Sequence, residues 1–316
     1  MGAADREPAE YRGCPLTAVR VALVSSRAFP MPHWHDYDLP LLAAELAGRG
    51  ATVEVVEWDG DTPVAWASYQ AVVLQSPWSM WTDLTGFARW LRAREDDGTR
   101  LLNPVDTVLL GSDKRYLLRL GDQGVPIVPT TLVEESDAAY LKGLFPDLAG
   151  PRPTLVAKPI AAGGALGARE FTAAELPELI AHLRAAGPSI VQPYIAAIDI
   201  HRELGVVMVD GSISHAVTKA PLLVPGQPVR ELHPDPQPYP GLTAQEGRVI
   251  HQTYAALRAM LTNEPLSVRL DFVVDPASPS GLLLLEAEMV APVKFFPLFP
   301  AECANLAEAI LARAAA

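Results

Sequence analysis

The segment Leu270-Asp271-Phe272-Val273-Val274 is followed, across residues 275–281, by Leu282-Leu283-Leu284-Leu285-Glu286-Ala287-Glu288. Three carboxylates thus fall in two runs otherwise suited only to a core. Apolar runs of this length bounded by turn formers read as buried strands, and the Pro/Ser/Gly segment between them reads as a hairpin, so the two pair antiparallel. Side chains two apart share a face, which puts Glu286 beside Glu288 and lets Asp271 sit next to them. Burying three like charges together is costly without a cation, and oxygen donors with no nearby His or Cys suit magnesium or manganese. The plain alternative is that the acids lie at strand ends in solvent.

With 316 residues the chain has room for two or three domains, and 49% hydrophobic residues are ample for their cores. A formal net charge of -12 and the lack of a Lys/Arg cluster argue against a nucleic-acid groove or an anionic membrane surface, leaving room for a local basic pocket. A small-molecule enzyme fits this balance. Cys14 and Cys303 match neither a zinc spacing nor a disulfide framework, which points to a reducing compartment. No apolar run reaches the length of a membrane span, and the acidic N-terminus is not a secretory signal, so a cytoplasmic location is expected.

Residues 1–17 lack periodicity and read as a flexible tail. Strands over 19–24, 52–58 and 71–75 alternate with helices over 39–48 and 84–96, which predicts a small doubly wound parallel sheet across 18–110. Ligands are expected at the carboxyl ends of its strands, where the loops 33–38 and 76–80 lie. From residue 111 the pattern changes to a helix over 113–120, strands over 154–159 and 189–192, and a helix over 173–186, predicting a central unit over 111–195. A last unit over 196–316 contains strands at 204–209 and 214–219, a proline-rich loop over 221–240, a helix over 244–261 and the acidic hairpin.

Lys158 ends a strand and precedes a loop containing Gly163, Gly164 and Gly167. Glycines let backbone N–H groups approach phosphate oxygens closely, and the lysine adds a point charge. The loop is neither a Walker loop nor a dinucleotide fingerprint, and a surface loop with a solvated lysine is the alternative.

Taken in order, Ser112-Asp113-Lys114-Arg115-Tyr116 with Gly124-Val125-Pro126, the Lys158 loop, Gln192-Pro193-Tyr194-Ile195 and the acidic hairpin resemble the ATP-grasp superfamily. The resemblance implies an α/β fold in which an N-terminal doubly wound parallel domain, expected to bind substrate, accompanies two α+β subdomains that clasp ATP. It implies that Lys114 and Lys158 reach the nucleotide phosphates, with Gly163 and Gly164 in a lid loop. Gln192, Pro193, Tyr194 and Ile195 would lie against adenine, and Asp199 and Glu203 would belong to the nucleotide site. Asp271, Glu286 and Glu288 match the positions that hold magnesium, although many relatives carry asparagine where this chain has Glu288. The chain looks most like the compact branch of glutathione synthetase and the O-ureido-serine cyclo-ligase of cycloserine biosynthesis, over residues 112–296. It matches more weakly through Ser76-Pro77-Trp78 and Leu102-Asn103-Pro104. It departs from that branch at Gln75, Ser79 and Ala291-Pro292-Val293-Lys294, which leaves the substrate open.

The chemistry implied is activation of a carboxylate by the γ-phosphate of ATP, then attack on the acyl phosphate by an amine or similar nucleophile, as a carboxylate-amine ligase or a cyclo-ligase, with release of ADP and phosphate. Small amino-acid-like substrates are expected, and relatives suggest a homodimer. Arg269 would stabilise the oxyanion and Lys219 would serve phosphate or substrate. A salt bridge from Arg269 to Asp271 or Glu286, and a solvated Lys219, are the alternatives. Competing readings are a peptide- or protein-modifying ligase, a non-catalytic nucleotide-binding protein, and a nicotinamide oxidoreductase, which lacks its glycine fingerprint. His33 and His35 with Asp36 and Asp38 read as a metal cluster, an acidic-substrate site or a helix cap. Trp34, Trp78 and Trp81, in the two loops, read equally as a substrate wall or as packing.

Overall fold

The computed structural model describes residues 18–32, 34–134, 139–141, 154–223, 233 and 235–316. The expected tail, His33 and much of the proline-rich loop lie outside those residues.

The first layer is a parallel sheet of order β2-β1-β3-β4, formed by β1 (Arg20–Ser25), β2 (Thr52–Glu57), β3 (Ala71–Leu74) and β4 (Leu101–Leu102). Residues 21–25 and all of β3 are buried, as expected of strands covered on both faces. Helices α1 (Asp38–Gly48) and α2 (Leu84–Asp96) provide the crossovers. Asp83 caps α2 by accepting from the Gly86 N–H at 2.8 Å.

Two short helices, α3 (Val105–Gly111) and α4 (Tyr116–Asp122), lead to an antiparallel sheet of order β5-β8-β6-β7. Its strands are β5 (Thr131–Val133), β6 (Thr154–Pro159), β7 (Arg169–Thr172) and β8 (Ser189–Pro193), with α5 (Leu176–Ala186) packed against it. A five-stranded sheet of order β11-β10-β9-β12-β13 completes the core. It contains β9 (Glu203–Val209), β10 (Ser212–Lys219), β11 (Gln237–Pro238), β12 (Ser267–Val274) and β13 (Leu282–Glu288). The predicted acidic hairpin is present: β12 and β13 pair antiparallel, with Asp271 opposite Glu286. Helix α6 (Ala197–His201) precedes this sheet, and α7 (Ala244–Arg258) covers its apolar face through Val249, Ile250 and Leu257.

Two features differ from the sequence reading, and a third bears on alternatives it left open. The helix expected from residue 113 begins at Tyr116, because Asp113 forms a turn through its carboxylate and the Arg115 N–H. Helix α8 (Pro300–Ala315) was not anticipated; it packs against α1 and β3 and buries Leu306 and Ile310 in the core of the first sheet. The loop after β1, read as a metal cluster, an acidic-substrate site or a helix cap, holds no group of three metal-ligating side chains among the described residues, which leave out His33. Instead, Asp36 accepts from the Asp38 and Leu39 N–H groups, and buried Asp38 accepts from those of Lys294 and Phe296. Asp38 therefore ties the first layer to the segment that follows β13.

Asn103 makes a second tie. Its amide donates to the carbonyls of Ser267 at 2.7 Å and Met289 at 2.6 Å, and its oxygen accepts from the Ser267 N–H at 3.0 Å. Asn103 is buried, so Asn103→Ala leaves three polar backbone groups unpaired. The expected loss is about 3 kcal/mol of stability, read from urea denaturation.

Candidate active site

The strand period builds one pocket. On β12, Val268, Leu270 and Phe272 enter the core beneath α7, whereas Arg269, Asp271 and Val273 point the other way and line the pocket. Glu203 on β9 and Lys219 on β10 reach it from the adjoining strands, while Val156 and Lys158 on β6 and Gln192 on β8 face them from the smaller antiparallel sheet. The register shifts between Asp271 and Phe272: Asp271 is opposite Glu286 but Phe272 is opposite Leu284. The extra residue, Leu285, turns β13 so that Leu285, Glu286 and Glu288 all border the pocket. Gly205 lies opposite Asp271 on β9, where a Cβ would come within 3.0 Å of Asp271 Oδ1. Any side chain there would press on a carboxylate that Arg269 and Lys219 hold in place.

The charged groups interlock. Asp271 accepts from Arg269 Nε and Nη2, both at 2.9 Å, and Lys219 Nζ stands 3.4 Å from its Oδ1. Lys219 also pairs with Glu203, and Arg269 Nη1 donates to the Val293 carbonyl at 3.0 Å. Lys219, Arg269 and Asp271 are each under 5% exposed. Lys114 Nζ lies 3.0 Å from Glu286 Oε1 and donates to the Ala162 carbonyl, which ties the glycine loop to β13. Burial opposes ionisation of Asp271, but Arg269 and Lys219 more than offset it and hold the carboxyl below the ordinary value. Burial likewise opposes ionisation of Glu286, and Lys114 and Lys158 reverse the sign. For Glu288, burial and then the charge of Glu286 prevail over Arg269 and the Val290 and Ala291 N–H groups, and the carboxyl is raised. Burial pushes Lys158 down to about 8.

Lys114, Lys158, Gly163, Gly164, Gln192, Pro193, Tyr194, Ile195, Glu203, Lys219, Arg269, Asp271, Glu286 and Glu288 all border this pocket. Asp199 does not; it accepts from the Tyr194 hydroxyl. The salt bridge held open for Arg269 is formed, to Asp271, and Lys219 is buried rather than solvated. No group of three metal-ligating side chains converges among the described residues. The chain's own cations occupy Asp271 and Glu286, which relieves the repulsion that a converged triad would carry. Hard oxygen donors nevertheless face the pocket, and Glu288 is a half-buried carboxylate with no cation paired to it among the described residues, so the set fits a divalent cation. Sequence reasoning missed Gly205, the Leu285 bulge and His233. His233 borders the pocket, and its Nδ1 has no hydrogen-bond partner among the described residues.

Residues 21–103 match the family described as the N-terminal domain of D-cycloserine synthetase DcsG. Over 210 residues the chain is 33% identical to the cycloserine biosynthesis protein DcsG of Streptomyces lavendulae. That match covers 60% of this chain and 64% of the relative's length. The crystal structure of D-cycloserine synthetase DcsG superposes with a TM-score of 0.83 at 26% identity, covering 93% of this chain and 99% of the other. A RimK domain ATP-grasp protein from Sphaerobacter thermophilus shares the fold, with a TM-score of 0.66 at 16% identity over 93% of this chain and all of the other. The chain has the ATP-grasp fold and is similar to DcsG over most of its length. Its mixed architecture, one parallel and two antiparallel sheets, is the ATP-grasp fold expected from the sequence. Among the described residues of this ATP-grasp chain, no helix is long and apolar enough to cross a membrane.

Proposed function

We propose that the chain is an ATP-dependent ligase that activates a carboxylate as an acyl phosphate and joins it to an amine. The observation that carries this reading is the gathering of Lys114, Lys158, Lys219 and Arg269 with Glu203, Asp271, Glu286 and Glu288 around one pocket. Beside them lies an apolar stretch formed by Val128, Val156, Ile198, Val273 and Leu285. A flat, uncharged base suits the apolar stretch, next to Gln192, Pro193, Tyr194 and Ile195, and a polyphosphate suits the lysines.

In this scheme a carboxylate oxygen attacks the γ-phosphorus and ADP leaves. The amine then attacks the acyl carbon, phosphate leaves, and the surplus proton goes to solvent. Lys114 and Lys158 hold the transferring phosphoryl group, the N–H groups at Gly163 and Gly164 approach its oxygens, and Arg269 faces the oxyanion of the tetrahedral intermediate. Glu286 and Glu288, with Asp271, would hold magnesium or manganese, which offsets phosphate charge when bound. The similarity to DcsG makes an amino-acid-like substrate and antibiotic biosynthesis the working context.

The test is incubation with ATP, magnesium and a panel of carboxylates and amines, with ADP, AMP and phosphate measured. Substrate-dependent ADP and phosphate, abolished by EDTA, is the expected result; AMP would overturn the mechanism.

A pH effect follows from Lys158. Its folded-state value of about 8 lies below the ordinary lysine value, so the ammonium that would meet phosphate is lost above pH 8. ADP affinity is expected to fall about tenfold per unit above that point, and Lys158→Arg to show no such break in calorimetric titration. Stability has the opposite sign: the native state holds fewer protons than the unfolded one above pH 8, so this residue's contribution improves with pH there.

A further inference from the structure

The first sheet layer contributes three residues to the pocket, and among the described residues all three are tryptophans: Trp34 from the loop after β1, and Trp78 and Trp81 from the turn of helix after β3. Every charged side chain on the pocket wall comes from outside that layer. Trp34 and Trp78 meet edge to face, with centroids 5.9 Å apart, and Phe29 backs Trp78 at 4.9 Å. The Trp78 indole N–H is directed to the Ala291 carbonyl at 3.4 Å, which leaves no free donor on that ring. Trp81 lies over the glycine loop, where a Cβ on Gly163 would come within 2.5 Å of its ring. Leu166, Ala291 and Val293 complete the rim.

Charged neighbours in the chain are turned away from this wall. Lys294 donates to Gln75 Oε1 at 3.1 Å and the Pro292 carbonyl at 3.0 Å, Asp36 is engaged by backbone N–H groups, and neither borders the pocket. The charges nearest the rim, Glu288 and Arg269, are engaged with the Val290 and Ala291 N–H groups and with Asp271 and the Val293 carbonyl, and the indoles themselves present no charge to a zwitterionic head group placed against them. A flat ring would meet chiefly the half-buried Trp81 indole, which Trp34 and Trp78, 3% and 5% exposed, back from beneath.

We propose that the carboxylate or amine substrate carries an uncharged aromatic ring and docks it against the Trp34, Trp78 and Trp81 wall. Its reacting group then lies toward Arg269 and the lysines. The proposal rests on the ligase reading for the identity of the reacting group, and on the wall alone for the ring.

Tryptophan fluorescence titration of the ADP- and magnesium-loaded protein tests it, with 3-phenylpropionate, propionate and alanine as probes. The expected result is binding of 3-phenylpropionate about tenfold tighter than propionate. Trp81→Ala should erase that preference and Trp81→Phe should keep it. Equal binding of the three probes by the wild type, or an unchanged preference in Trp81→Ala, overturns the proposal. The ligase reading fails separately. Ring preference with no ADP release from ATP and an amine panel supports the wall and removes the ligase. ADP release with alanine and no ring preference does the reverse.

Discussion

Lys158→Ala is expected to lower turnover by about a hundredfold to a thousandfold while leaving the fold in place. The lysine sits at the end of β6, half-buried and facing Glu286 across the pocket, and burial already depresses its ammonium to about 8. A cation held against that penalty contributes little to stability, so the unfolding free energy should change by no more than about 1 kcal/mol. Its value lies in meeting phosphate charge. Steady-state ADP release, compared with urea denaturation of the same variant, separates the two effects. Undiminished turnover would remove Lys158 from the proposed machinery.

Arg269→Met should produce the largest combined loss. The guanidinium is 4% exposed and its fork grips Asp271, itself 2% exposed, so the variant strands a buried carboxylate with only Lys219 beside it. Breaking one side of a buried pair costs about 3–5 kcal/mol, which urea denaturation at neutral pH reads directly. The acid side provides a second check. Asp271 has a folded-state value below its unfolded one, so its contribution is present above the ordinary carboxylate value and is lost as pH falls through the lowered one. Wild type should therefore lose stability on acidification more steeply than Arg269→Met, which has already lost most of that term. Parallel curves would show that Lys219 alone satisfies Asp271. Arg269→Lys, which retains charge but not the fork, should recover stability only in part.

The acidic hairpin was legible because period and chemistry agreed: apolar runs specified strands, and acids at 271, 286 and 288 had to share a face. The first sheet was legible for a similar reason, since β1 and β3 are short apolar runs between helical segments. Helix α8 carries a readable signal of its own. Cys303, Leu306, Ala307, Ile310 and Ala314 recur at helical spacing and are all buried. Gly205 and Leu285 had no local signal. One is needed because a carboxylate from the neighbouring strand lies over it, and the other is a bulge that exists only once β12 and β13 are in register.

Residue types and their order carried the fold class, the hairpin, the lysine ahead of a glycine loop and the gathering of most pocket residues, because each rests on local periodicity or on the chemistry of a single side chain. Partnership between distant segments needed three dimensions. Whether Asp271 meets a metal or Arg269, whether Asp38 binds a ligand or the Lys294 and Phe296 N–H groups, and whether three tryptophans pack away or line a wall all depend on which elements come to lie within about 3–6 Å of one another. Strand register and sheet packing set those distances, and they act between residues as far apart as Asp38 and Phe296.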